Sequence, residues 1–83
     1  MVNILFNIGK KIINLRIYKE ISQKELAYRA NMSQSFISHL ERDKRNPTIN
    51  TLYKISKGFN IPFKDFLLYL INEYDREEII SDD

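Results

Sequence analysis

The chain contains no cysteine, which excludes disulfides, thiolate metal sites and thiol nucleophiles and fits a reducing cytoplasm. His39 is its one histidine, so a histidine-rich metal centre is excluded as well. Glycine and proline are scarce: Gly9, Gly58, Pro47 and Pro62 are the only ones in 83 residues. That scarcity leaves no glycine-rich phosphate loop and argues for an ordered chain. No stretch approaches the ~20 apolar residues of a membrane-spanning helix. The opening MVNILFNIGKK places its apolar run ahead of its lysines with no cleavage-like site after it, so a signal peptide is not expected. Glu77 and Glu78 are adjacent and diverge on a helix, and the serines fall at helix starts or on an outward face. These absences predict no enzyme, no cofactor, no metal, no small-molecule ligand and no membrane partner.

What is present is one small domain. A core of this length is marginal alone, which points to close helix packing or oligomerisation. The formal charge of +2 hides an asymmetry. Residues 1–60 hold eleven Lys/Arg against four Asp/Glu, and residues 61–83 hold two against seven. A basic body suggests an anionic partner, although solvated surface charge has the same composition. Residues 1–75 read as the domain, followed by an acidic tail over 76–83 in which Ile79 and Ile80 are free to dock.

Apolar periodicity and capping residues predict an all-α fold, a compact five-helix bundle. The first helix runs from about Asn7 to Lys19 or Glu20, with Asn3 or Asn7 as its cap. Ile8, Ile12 and Leu15, with Ile13 beside them, face inward, and Lys10, Lys11 and Arg16 face outward. Ser22 caps the second helix, and Glu25 three residues on can complete a reciprocal capping box. Leu26 and Ala30 share its inner face, and Ala27 is small enough for a close crossing. Asn31 suits a left-handed turn. Ser33 caps the third helix, whose inner stripe is Ile37 and Leu40. Pro47 and the polar run ERDKRNPT make a loop. Thr48 then caps a fourth helix over Ile49 to Lys57 that buries Ile49, Leu52, Ile55 and Tyr53, with Gly58 or Asn60 at its left-handed end. Pro62 opens a fifth helix reaching about Tyr74.

The second and third helices, QKELAYRANMSQSFISHLER, carry the function. The outer face of the third presents Gln34, Ser35, Ser38, His39 and Arg42, the donors and acceptors that read base edges in a major groove. An ordinary αα-hairpin with a polar outer face is the plainer reading of the same pattern. Through Gln23, Leu26, Ala27, the Asn31–Met32 turn, Ile37, Leu40 and the Glu41–Arg42 pair, the stretch resembles the helix-turn-helix of lambda-repressor/Cro-type (XRE-like) transcription regulators. The likeness covers roughly residues 8 to 70, with Asn31 where that family usually has glycine. The chain's compactness, the aromatic Phe36 after the Gln34–Ser35 pair, and the run from Ser38 through Arg42 to Arg45–Asn46 are similar to controller proteins of restriction–modification systems.

The resemblance implies a sequence-specific regulator, repressor and activator both, that binds a roughly palindromic double-stranded operator as a homodimer in the cytoplasm, on the nucleoid. Base reading falls to Gln34, Ser35, Ser38, His39 and Arg42. Phosphate binding falls to Gln23, which also braces Gln34, and to Ser33, Lys44, Arg45 and Asn46. The fifth helix carries more apolar residues than one core can use. Phe63, Phe66, Leu67, Leu70, Ile71 and Tyr74 are therefore expected to form the dimer interface, unless they thicken the core against Phe6, Phe36 and Phe59. The alternative function is an antitoxin-like subunit whose last helix binds a different protein.

Overall fold

A computed structural model of the chain describes residues 8–72. The tail, Tyr74, Phe6 and the cap expected at Asn3 or Asn7 lie outside them. Five helices follow in order: α1 (Ile8–Tyr18), α2 (Gln23–Ala30), α3 (Gln34–Glu41), α4 (Ile49–Phe59) and α5 (Phe63–Ile71). There is no strand among the described residues.

Local chemistry sets the helix starts. Ser22, Ser33 and Thr48 each accept a hydrogen bond at 3.0 Å from the backbone N–H three residues on, at Glu25, Phe36 and Thr51. Each therefore satisfies a donor that the helix itself cannot. The capping box at Ser22 is one-sided, because the Glu25 carboxylate turns to Arg29 at 2.8 Å instead of back to the cap. Asn31 and Asn60 close α2 and α4 in the left-handed conformation, at φ 59° and 60°. Of the two residues expected at the end of α4, Asn60 takes the turn. Gly58 stays helical and buried, where an added Cβ would stand 3.1 Å from Leu26 and 3.2 Å from Ala30.

α2 lies at the centre, packed on α4 and on α3, with α1 against α3 and α5 against α4. Ile8, Ile12, Leu26, Ile37, Leu40, Leu52, Ile55, Phe59, Phe66 and Leu70 are all buried in one cluster. The Phe59 and Phe66 rings meet at 6.0 Å between centroids. At about 25 cal/mol per Å², burying side chains of this size is the main term that holds five short helices together.

Four expectations change. Arg16 does not face outward; it turns in, with its side chain 16% exposed. Ile49 is 66% exposed, because it sits a full turn ahead of Leu52 and projects past the end of the core. Tyr53 is 43% exposed and packs edge-on against Phe63 at 5.4 Å. On α5, Phe66 and Leu70 are spent in their own chain's core at 0% and 3% exposure, which removes them from the surface available to a partner. The apolar surface left on that helix is Leu68 and Ile71, 53% and 45% exposed, flanked by the half-buried Phe63 and Leu67.

Candidate nucleic-acid interface

α3 is eight residues long and is anchored at both ends. At its start, Ser33 Oγ accepts from Phe36 N. The N–H groups of Gln34 and Ser35 have no helical carbonyl to bond, and with the positive end of the helix dipole they favour an anion there. At its end, Asp43 adopts φ 57° and donates its N–H to Leu40 O at 3.0 Å, while Lys44 N donates to His39 O at 2.8 Å. The Asp43 carboxylate in turn accepts from Gly9 N at 3.1 Å, which ties the loop after α3 to the first turn of α1. Gly9 is required at this contact: a Cβ there would stand 2.5 Å from Glu41 O and 2.6 Å from Leu40 O.

The interior anchor is a buried carboxylate. Glu41, with its side chain 3% exposed, accepts from Arg16 Nε at 2.7 Å, from Arg16 Nη2 at 3.2 Å and from Gln23 Nε2 at 2.7 Å. Arg16 Nη1 also donates to Ile21 O at 3.0 Å. One network thus joins α1, the α1–α2 connection, the start of α2 and the end of α3. No buried side-chain nitrogen or oxygen among the described residues is left without a partner. A buried ion pair with its hydrogen bonds filled fixes geometry more than it adds stability. Here the fixed geometry is the seating of α3.

The expected base readers come together on the outer side of that seated helix. Gln34, Ser35 and Arg42 are exposed, and Ser38 and His39 are half-exposed. His39, Arg42, Lys44 and Arg45 line a single open cleft beside the helix. Ser33 stands at the helix start and Asn46 is exposed on the loop. Gln23 is placed differently from the expectation: its amide bonds Glu41 and does not brace Gln34.

Sequence reasoning gave no role to Asp43 or Gly9, took Glu41 only as part of the family pattern, and did not foresee the contacts that Glu41 and Phe36 make with Arg16 and Arg45. Glu41 had a signal: it lies four residues after Ile37, on the inward row, where a carboxylate needs a buried partner. Arg16 stands in the same relation to Ile12. Asp43 had a weaker one, as a residue tolerant of the left-handed conformation just past a helix end. Among the described residues no group of acidic or histidine side chains is arranged to hold a metal ion, and no helix is long and apolar enough to cross a membrane.

A helix-turn-helix family model matches residues 12–66. The control protein C.BamHI of Bacillus amyloliquefaciens is 35% identical over 66 residues, spanning 78% of this chain and 82% of that protein. The crystal structure of the wild-type restriction-modification controller protein C.Esp1396I superposes with a TM-score of 0.75 at 32% identity, covering 98% of this chain and 99% of that one. C.Esp1396I bound to a 25 base pair operator site superposes with a TM-score of 0.75 at 32% identity, covering 96% and 99%.

Proposed function

The chain belongs to the helix-turn-helix family, and from that premise we propose that it is a sequence-specific DNA-binding transcriptional regulator of the restriction–modification controller kind. The observation that carries the reading is α3: a helix held from inside by Glu41 whose outer side presents Gln34, Ser35, His39 and Arg42 next to a basic cleft. Its similarity to C.BamHI and to operator-bound C.Esp1396I supports the same assignment.

α3 lies in the major groove, with its first turn nearest the base edges. Gln34 offers an acceptor and a donor in the pattern that pairs with adenine, Ser35 bonds either partner, and Arg42 offers a fork suited to guanine. Ser33, Lys44, Arg45 and Asn46 contact phosphates and set the register. The remaining amide hydrogen of Gln23 is available to the same strand. Binding energy does the work, and no cofactor, metal or small ligand takes part. The regulator acts in the cytoplasm, on the nucleoid.

A second copy completes the regulator. Leu68 and Ile71, with the edges of Phe63 and Leu67, form an apolar face on α5 that a two-fold pairing covers with its own image. Such a pair sets two copies of α3 about one helical turn, ~34 Å, apart on a near-palindromic site.

Selection from a pool of random duplexes tests the proposal, with the full chain as bait. Enrichment of two inverted half-sites, bound as two chains per duplex in sedimentation, is expected. The reading fails if the selected pool is no richer in any sequence than the starting pool. Leu68→Glu with Ile71→Glu is expected to leave the helical content intact and yield monomers. A double variant still dimeric at micromolar concentration moves the interface off α5.

A further inference from the structure

Phe36 is a half-buried aromatic in the first turn of α3, part of its ring packed against the core. Its N–H donates to Ser33 Oγ at 3.0 Å, so its place on the helix is set by the cap. Over the ring stands the guanidinium of Arg45, with Cζ 5.2 Å from the centroid. Arg45 comes from beyond the far end of the helix, in a loop that Asp43 and Lys44 fasten to Gly9 and His39. Its backbone is therefore anchored, but its long side chain has no hydrogen-bond or carboxylate partner among the described residues. The ring is what holds it. Phe36 and His39 are one turn apart on the helix, so the ring adjoins the cleft formed by His39, Arg42, Lys44 and Arg45.

We propose that Phe36 is a positioning residue for DNA binding: its ring holds the Arg45 guanidinium beside the reading helix, where it meets a DNA phosphate already oriented. The proposal rests on the DNA-binding reading above. A guanidinium held against a ring on one side keeps N–H groups on its other side free, and those groups make the fork that matches a phosphate. Holding the group in advance removes rotamer freedom that binding otherwise has to remove. An exposed contact of this kind is worth about 2- to 5-fold in affinity for one protomer, and about 4- to 25-fold for a dimer engaging two half-sites.

The test is a double-mutant cycle on the full chain, read by fluorescence anisotropy on a selected duplex and on a random duplex of equal length. Phe36→Leu should weaken binding to both duplexes by the same factor. Phe36→Tyr keeps the ring and should bind as wild type. Adding Phe36→Leu to Arg45→Ala should cost nothing further. An equal loss from Phe36→Leu with and without Arg45 would overturn the proposal, because Phe36 would then act only by shaping α3. Wild-type affinity in folded Phe36→Leu overturns it too. A second readout serves if that variant does not fold: in wild type the Arg45 side-chain Nε–H resonance should be moved upfield by the ring, and a random-coil position for it refutes the contact. If wild type binds neither duplex, the DNA-binding reading is what fails, and the resonance still decides whether Phe36 holds Arg45.

Discussion

Replacing Arg16 with alanine removes the partner that makes the Glu41 carboxylate tolerable in the interior. Glu41 receives three hydrogen bonds, and two come from Arg16, at 2.7 and 3.2 Å. After Arg16→Ala only the Gln23 amide remains, at 2.7 Å. Breaking a buried pair from one side typically costs about 3–5 kcal/mol, since the surviving charge is left uncompensated. Arg16 is partly open to water at 16% exposure, and water admitted to the gap reduces the penalty, so about 2–4 kcal/mol is the expected loss. A chain of 83 residues holds about 4–12 kcal/mol in total at the usual stability per residue. The variant therefore loses a large share of its stability. With about 4–8 °C per kcal/mol for a domain of this size, Tm should fall by about 8–32 °C. Circular dichroism at 222 nm during heating measures it. The informative companion is Arg16→Met with Glu41→Leu, which removes both charges and keeps volume. It should recover most of the lost stability, because a buried pair and an apolar replacement are nearly equivalent. A Tm drop under about 3 °C for Arg16→Ala would refute the argument and show that Glu41 reaches water without its partner.

Other outcomes follow from the same geometry. Gln34→Ala should flatten base preference at one position in each half-site, a loss of about 1–3 kcal/mol of discrimination, and leave Tm unchanged because the side chain is exposed. Identical selected sequences for wild type and variant would remove Gln34 from the reading set. Gly9→Ala should destabilise by about 1–3 kcal/mol in urea melts, since its Cβ would press on the Glu41 and Leu40 carbonyls at 2.5 and 2.6 Å. Unaltered stability would mean that α1 can slide away from α3 at no cost. Burial holds the Tyr69 phenol above its ordinary pKa of 10.0, and that phenol donates to Lys11 O at 2.7 Å across α1 and α5. The folded state keeps this proton longer than the unfolded chain. The contribution is therefore complete below pH ~10 and is lost as pH rises through the folded value. Melts taken through this range should show a steeper alkaline decline for wild type than for Tyr69→Phe, and equal slopes would contradict the shift.

The elements that could be read from the residues alone are those whose cause lies within a few positions of chain. Ser22, Ser33 and Thr48 bond an N–H three residues on. Asn31 and Asn60 turn left-handed where a helix must stop. Gln34, Ser35 and Arg42 face out because the helical period places them opposite Ile37 and Leu40. A cap or a period involves no distant partner, so it can be worked out before the fold is known. The contacts that seat α3 are of another kind. Arg16 meets Glu41 across 25 residues, Gly9 meets Asp43 across 34, and Tyr69 meets Lys11 across 58. The helical period places Arg16 on the row of Ile12, but the carboxylate that makes an inward turn tolerable lies on another helix, and no local pattern says which one it is. On α5 the apolar residues nearly encircle the helix, so periodicity could not divide them. Packing against α4 and the core took Phe66 and Leu70 inside and left Leu68 and Ile71 to the surface. Side chains of similar hydrophobicity gain equally from burial, and only the position of the neighbouring helix determines which of them is buried.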